Sequence, residues 1–292
     1  MRYRKLGSTG LLGSEIGFGA VAIGRDWAFG IAEDPRRPEE KEAIYLVEHL
    51  SDVGINFIDT APAYQESEKI IGKALKGKRD KFYIATKVGE RFDGATSFYD
   101  YSEKATLSFI ESRLKALRTD YVDVVQIHSC PLEVLERAET VNALLKAKKA
   151  VKARFIGVRG SVEVMLEALK YPEIDVLQFS YNILDRACEE LLLLAVNKAG
   201  RGVIIKDCLK KDLLSYKYKN STVSDRNLLN KISRLDEFAK KRGMALDELA
   251  IRYVLLRDEI STVILGSKNY EHVKKNTSYS DGQHLDLGGF EV

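Results

Sequence analysis

Four side chains able to work together on a proton fall at the ends of short apolar runs. Asp59 closes Asn56-Phe57-Ile58, Lys87 follows Phe82-Tyr83-Ile84-Ala85-Thr86, and His128 follows Val124-Val125-Gln126-Ile127. Tyr64 stands five residues after Asp59, in the turn Thr60-Ala61-Pro62-Ala63-Tyr64. A free tyrosine titrates near pH ~10 and is slow to give up its proton at neutral pH. An ammonium beside a phenol stabilises the phenolate, and a carboxylate beside the ammonium keeps the ammonium charged. A histidine at the same place orients a substrate oxygen or shares the proton, so the set suits acid–base work on a carbonyl or an alcohol. Each residue alone has a plain structural explanation: a buried ion pair, a packed ring, a satisfied imidazole. Four on strand ends that share one face are hard to attribute to accident.

Such chemistry needs elements that bring the run ends to one place. Gly7-Ser8-Thr9-Gly10 separates residues 2–6 from 15–18, which predicts a small N-terminal β-hairpin that caps the fold. After it, helical and strand patterns alternate. Pro38 opens a helix in which Ala43, Leu46, Val47 and Leu50 form one stripe, and Gly54 stops it. Strands are expected at 56–59, 82–86, 121–127, 154–158, 176–179, 202–205 and 262–265. Helices are expected from Ser67, from Ser102, over 132–147, 162–170, 188–199 and 245–256, and from Tyr270. Ser67 and Ser102 are both read as capping serines. A polar stretch at 210–225 interrupts the alternation. The strands are apolar at nearly every position, as parallel strands covered on both faces must be, while each helix keeps a single apolar stripe. Seven strands and eight helices, read as eight strand–helix units, predict an α/β fold, a single (β/α)8 TIM barrel over residues 1–292 with the hairpin as its cap. In that architecture chemistry sits at the carboxyl ends of the strands, where Asp59, Tyr64, Lys87 and His128 fall.

Composition narrows the function classes. With 45% hydrophobic and 30% charged residues and only 5 prolines, the chain is globular and not disordered. A net charge of +3 argues against general nucleic-acid binding, which needs a strongly basic face. No apolar run approaches the roughly 18 residues of a membrane span, and the opening residues carry charge with no apolar segment after them. The cytoplasm, with no membrane or nucleic-acid partner, is therefore the expected setting. Cys130, Cys188 and Cys208 are too sparse for a disulfide framework and are expected as reduced thiols. His49, His128, His272 and His284 show no metal-ligand spacing, so no metal is expected. Gly17-Phe18-Gly19 fits the loose dinucleotide fingerprint, but no amphipathic helix follows and Pro35 and Pro38 break the chain soon after. Lys146, Lys148, Lys149, Lys152 and Arg154 are read as decoration of a helix carboxyl end. Trp27 fits either the lining of a substrate pocket or a loop anchor.

Longer motifs carry a family likeness. The opening Leu6-Gly7-Ser8-Thr9-Gly10-Leu11, the stretch 54–64 with Ser67-Glu68, Thr86-Lys87-Val88, Asp120-Tyr121-Val122-Asp123 with Gln126-Ile127-His128, and Leu177-Gln178-Phe179-Ser180-Tyr181-Asn182 together resemble the aldo-keto reductase family over nearly the whole chain. The resemblance implies a (β/α)8 barrel, an extended NADPH at its carboxyl face, and reversible hydride transfer between the nicotinamide and the carbonyl of a small aldehyde or ketone. It implies Tyr64 as general acid, Lys87 and Asp59 as its tuning pair, and His128 as the group orienting the carbonyl. Gln178 matches the glutamine that bonds the nicotinamide carboxamide. In the segment that opens at Gly266, Ser267, Lys268 and Asn276 match positions holding the adenosine phosphate and adenine. His272 stands where many members carry arginine for the 2′-phosphate. The segment also opens a helix, whose amino end suits an anion.

Two departures from the family pattern place cations at the mouth. Arg159-Gly160-Ser161 stands where many relatives have Ser-Asn, and Lys206 stands where many have an aromatic ring stacked on the nicotinamide. An oxidised nicotinamide repels a close ammonium, so Lys206 is expected to reach the cofactor pyrophosphate or an anionic substrate group, not to lie over the ring. The stretch 210–225 reads either as a loop covering the pyrophosphate or as a solvated surface loop. A rival to the enzyme is a nicotinamide-nucleotide-binding redox sensor or interaction subunit with slow turnover. The complete Tyr64, Lys87, Asp59 and His128 set favours the enzyme.

Overall fold

The chain opens with an antiparallel hairpin, β1 (Tyr3–Lys5) and β2 (Leu12–Ser14), in the computed structural model, which describes residues 1–26 and 36–288. Then come β3 (Ile16–Gly19), β4 (Phe57–Asp59), β5 (Tyr83–Val88), a second small hairpin β6 (Glu90–Phe92) and β7 (Ser97–Tyr99), and β8 (Val122–Ile127). They are followed by β9 (Ala153–Arg159), β10 (Val176–Ser180), β11 (Gly202–Lys206) and β12 (Thr262–Gly266). Eight of these, β3, β4, β5, β8, β9, β10, β11 and β12, pair in parallel in that order and close on themselves as a (β/α)8 TIM barrel. Trp27 and Pro35 lie outside the described residues.

The expected cap is present, but its partner strand differs from the sequence reading. Residues 15–18 do not pair with 2–6; they enter the barrel as β3, between β12 and β4. The hairpin uses β2 instead, because Ser14 and Glu15 are already buried and the chain passes straight from the cap into the barrel wall. Leu6 and Leu11 from the hairpin plug the amino end of the barrel and pack with Phe57, Ala85, Val124, Val176 and Ile204. Contact there is close. Gly7 has φ +54°, and a Cβ on it would lie 2.3 Å from the Gly202 nitrogen, so only glycine fits that turn. A separate and larger apolar layer fills the space between the outer strand faces and the helices.

Ser102 caps Glu103–Leu117 as expected, its Oγ accepting from the Ala105 amide at 3.3 Å. Ser67 does not cap: it is the first residue of Ser67–Ala74, fully buried, and its hydroxyl pairs with that of Thr60 at 2.8 Å. Ser102→Ala should therefore lower stability by about 1 kcal/mol, read as a drop in Tm; an unchanged melting curve would contradict the cap. The helix expected at 132–147 breaks at Ala138 (φ +56°) into Leu132–Arg137 and Glu139–Lys149. The second piece is pinned at its start, where the Glu139 carboxylate accepts from the Glu103 amide and the Thr140 hydroxyl donates to the Tyr101 carbonyl. The helix expected from residue 188 begins only at Leu192, as Leu192–Lys198. A helix the periodicity did not reveal, Arg226–Lys241, follows the 210–225 stretch and is capped by Asp225.

Period-two alternation in the strands decides what reaches the mouth. The inward rows that contribute Phe57, Ala85, Val124, Val176 and Ile204 to the barrel floor continue two residues on as Asp59, Lys87, Gln126, Gln178 and Lys206. Arg159 stands opposite Gln178, and Ser180 opposite Lys206, so both join the same inner rim.

Candidate active site

At the centre of the rim lies a buried ion pair. The Lys87 ammonium donates to Asp59 Oδ2 at 2.6 Å and to the Thr60 carbonyl at 3.0 Å, and neither side chain is more than 1% exposed. Two glutamine amides hold the other carboxylate oxygen: Gln178 Nε2 donates to Asp59 Oδ1 at 2.8 Å and Gln126 Nε2 at 3.3 Å. Burying two charges costs least when their remaining valences are satisfied, and these contacts occupy both carboxylate oxygens and two of the three ammonium hydrogens. Gln126 gains its room from Gly157 on the adjoining strand, where a Cβ would stand 3.1 Å from Gln126 Cγ and 2.6 Å from the Val176 carbonyl oxygen.

Tyr64 comes to this pair from the short 3₁₀ turn Pro62–Tyr64, whose proline presets the first residue. Its ring centre lies 5.2 Å from Lys87 Nζ, and its ring meets that of His128 edge-on, with centroids 6.0 Å apart and planes at 84°. The half-buried tyrosine thus has the ammonium on one side and the imidazole on the other. Asp59, Tyr64, Lys87 and His128, expected to converge, do so.

His128 is seated by groups the sequence reading passed over. Glu90, on the β6–β7 hairpin above the mouth, puts Oε2 3.0 Å from His128 Nδ1, outside hydrogen-bond alignment. Glu90 instead accepts from the hydroxyls of Ser97 at 2.8 Å and Ser129 at 3.2 Å. Tyr101 braces the same turn, its hydroxyl donating to the His128 and Ser129 carbonyls. Burial first, and then the charges of Arg159, Lys87, Lys206 and Arg25, hold the imidazole well below the ordinary histidine range. Held that far down, His128 is a neutral ring at neutral pH. Glu90 was findable in principle, since it lies three residues beyond Lys87 at a strand end.

The rim continues past His128 with two cations. Arg159 Nη1 donates to Ser129 Oγ at 2.7 Å, and Lys206 Nζ donates to Ser180 Oγ at 2.5 Å. Lys206 does not point away from the barrel; burial and the neighbouring Arg159 charge push its ammonium down to about 8. Gln178, besides holding Asp59, keeps its carbonyl Oε1 buried and without a partner, as does Gln126.

A second group lies at the end of β12. Gly266 closes the strand, and the Ser267 hydroxyl donates to the Asn269 carbonyl and accepts from its amide. Asn269 caps Tyr270–Ser278, its side chain accepting from the Glu271 and His272 amides at 2.8 and 3.3 Å. Those two amides are therefore already engaged, so an anion at this helix start depends more on the side chains around it than the bare helix end suggests. Lys268 reaches across to the Arg36 carbonyl at 2.8 Å, His272 is exposed, and Asn276 lies one turn further along the same helix face.

The three cysteines are free and buried, and burial pushes the Cys130 and Cys188 thiols up to about 12, well away from nucleophilic use. Among the described residues no group of three or more His, Cys, Asp or Glu side chains could hold a metal ion, and no helix is long and apolar enough to cross a membrane.

Comparison with known proteins agrees with this geometry. The family model described as "Aldo/keto reductase family" matches residues 15–286. L-galactose dehydrogenase of Arabidopsis thaliana is 32% identical, over 94% of this chain and 86% of that protein. The NADH-specific methylglyoxal reductase of Escherichia coli (strain K12) is 28% identical, over 95% of this chain and 93% of that one. Among solved structures, the holo form of aldo-keto reductase AKR11C1 from Bacillus halodurans superposes with a TM-score of 0.85 at 29% identity, over 99% of this chain and 93% of that chain. With the family model spanning the barrel from its first strand to beyond its last helix, the chain belongs to the aldo/keto reductase family of oxidoreductases.

Proposed function

We propose that the protein is an NADPH-dependent reductase of small aldehydes or ketones. The observation that carries the reading is the buried Lys87–Asp59 pair at 2.6 Å with the Tyr64 ring 5.2 Å from the ammonium. When bound, NADPH would supply the hydride for the carbonyl carbon. Tyr64 gives the hydroxyl proton to the carbonyl oxygen, so that one hydride and one proton yield the alcohol. Lys87 stabilises the phenolate left behind, and Asp59 keeps Lys87 charged. Neutral His128 orients the carbonyl oxygen toward Tyr64.

The residues present fit the cofactor at both ends. The buried, partnerless Gln178 Oε1 is an acceptor suited to the amide hydrogens of a nicotinamide carboxamide. At the other end Gly266, Ser267, Lys268, His272 and Asn276 would hold the adenosine phosphate and adenine, with Lys268 and His272 facing the 2′-phosphate. Lys206 would reach the cofactor pyrophosphate or an anionic group of the substrate and not lie over the ring. A charge-assisted contact at the 2′-phosphate should favour NADPH over NADH by about ten-fold or more in Kd. Fluorescence titration of both cofactors checks this, and Lys268→Ala should remove much of the difference. Equal constants for the two cofactors in the parent protein would contradict the assignment; the E. coli relative named as NADH-specific makes that outcome a real alternative.

The deciding experiment is oxidation of NADPH and NADH against a panel of aldehydes, ketones and quinones. Turnover on at least one carbonyl class supports the reading. Tight NADPH binding with only slow turnover across the panel would mark a nucleotide sensor instead.

A further inference from the structure

The catalytic rim holds more positive charge than its own pairing uses. Lys87 is matched by Asp59. Arg159 and Lys206 have no ion pair with a carboxylate among the described residues; their closest partners are the hydroxyls of Ser129 and Ser180. Both side chains are half-buried, and Arg159 Nε is fully buried with no partner. Strand register puts them on one inner face. Arg159 stands opposite Gln178, and Lys206 stands opposite Ser180, two residues further along β10. The register of β8 on β9, with Ile127 opposite Val158, makes Arg159 the strand neighbour of His128. Two half-buried cations that lose water and repel one another cost stability unless an anion offsets them. A ligand anion between them removes that cost.

We propose that Arg159 and Lys206 form an anion subsite in the catalytic mouth, which takes the carboxylate or phosphate of an acidic carbonyl substrate. The proposal rests on the carbonyl-reduction reading and names its substrate class. Adjacent strands lie about 5 Å apart, so a carbonyl held at Tyr64 and His128 is within a few bonds of Arg159. Short oxo acids and short phosphorylated carbonyls have that reach. Arg159 offers a planar fork suited to two oxygens, and Lys206 a point charge. Ser129 links Arg159 to Glu90 only through a hydroxyl, so the guanidinium keeps donors for a ligand. The cofactor pyrophosphate is the other anion able to reach these cations, and the test separates the two sources.

The test compares matched pairs on the full-length enzyme: glyoxylate with acetaldehyde, and succinate semialdehyde with butanal. For Arg159→Met and Lys206→Met the ratio of kcat/KM for the acid to that for its neutral partner should fall about ten-fold or more, the size of one lost charge-assisted contact. Arg159→Lys should recover part of it. The parent ratio should also fall as pH rises through about 8, where Lys206 loses its proton. Burial first, and then Arg159 and Lys211, disfavour that charge, while Asp207 and Asp185 support it. NADPH titration of each variant reports both folding and the cofactor's share. An unchanged ratio overturns the proposal, and if NADPH affinity falls in that case the cations belong to the pyrophosphate. Binding of oxalate to the parent and both variants, measured by calorimetry with NADPH present, needs no turnover. Oxalate binding that depends on Arg159 and Lys206 in a protein that reduces no carbonyl would sink the reductase reading and keep the subsite. Reduction of neutral aldehydes with no advantage for acids and no oxalate binding would do the reverse.

Discussion

Tyr64→Phe is expected to lower carbonyl reduction by about 10²–10⁴-fold while leaving the Kd for NADPH within two-fold of the parent. The substitution removes one hydroxyl and keeps the ring, so the edge-on contact with His128 and the position above Lys87 survive. The groups proposed for the adenosine phosphate lie on a different strand and helix and are untouched. Single-turnover mixing of the NADPH complex with an aldehyde isolates the chemical step from product release. A rate within a factor of two of the parent would remove Tyr64 from the proton-donor role, and the reductase mechanism would need another acid. His128, neutral and beside the same oxygen, would be the first to examine.

Breaking the buried pair should damage both stability and activity, and the two effects can be separated. Lys87→Met leaves the Asp59 carboxylate buried with only the amides of Gln126 and Gln178; Asp59→Asn leaves the Lys87 ammonium with the Thr60 carbonyl and a neutral side chain. An uncompensated buried charge costs about 3–5 kcal/mol, which urea denaturation would register as a clear fall in midpoint. Each variant should also lose most turnover, because the phenolate of Tyr64 no longer has a charged ammonium beside it. The double variant Lys87→Met with Asp59→Asn buries no charge. Its stability should recover much of the loss, and its activity should not. If the double variant regains activity along with stability, the pair is only a structural strut and the tuning role fails.

Much of this site was open to reading before any coordinates, for a local reason. Asp59, Lys87 and His128 terminate apolar runs, and a run's end is visible in the chain itself. Tyr64 follows Asp59 by five residues, so the turn that leaves the strand must carry it. Gln178 was reached through a motif and not through its contacts. Gln126 stands in a family motif, but its role, like those of Glu90 and Ser129, lies in what it touches, and those partners are distant in the chain or belong to other strands. Ser67 illustrates the same limit in a different way: serine ahead of a helical stripe looks like a cap, yet burial against Thr60 gave its hydroxyl a better partner than the helix amides.

What the amino-acid order determined alone is whatever depends on near neighbours: strand and helix periods, the eight-unit alternation that becomes the barrel, and the polar residue types at the strand ends. Even there, the role of residues 15–18 escaped, because a strand that pairs in a hairpin and one that joins a barrel wall have the same local pattern. Tertiary closure decided the rest. It brought Gln178 onto Asp59 across 119 positions, lodged Glu90 beside His128, and left Arg159 and Lys206 facing one mouth with hydroxyls for partners. Hydrogen bonds and charges act over a few ångströms of space whatever the separation along the chain, so the Gln178–Asp59 bond exists only once the barrel has closed, and the others only once neighbouring strands have paired in register.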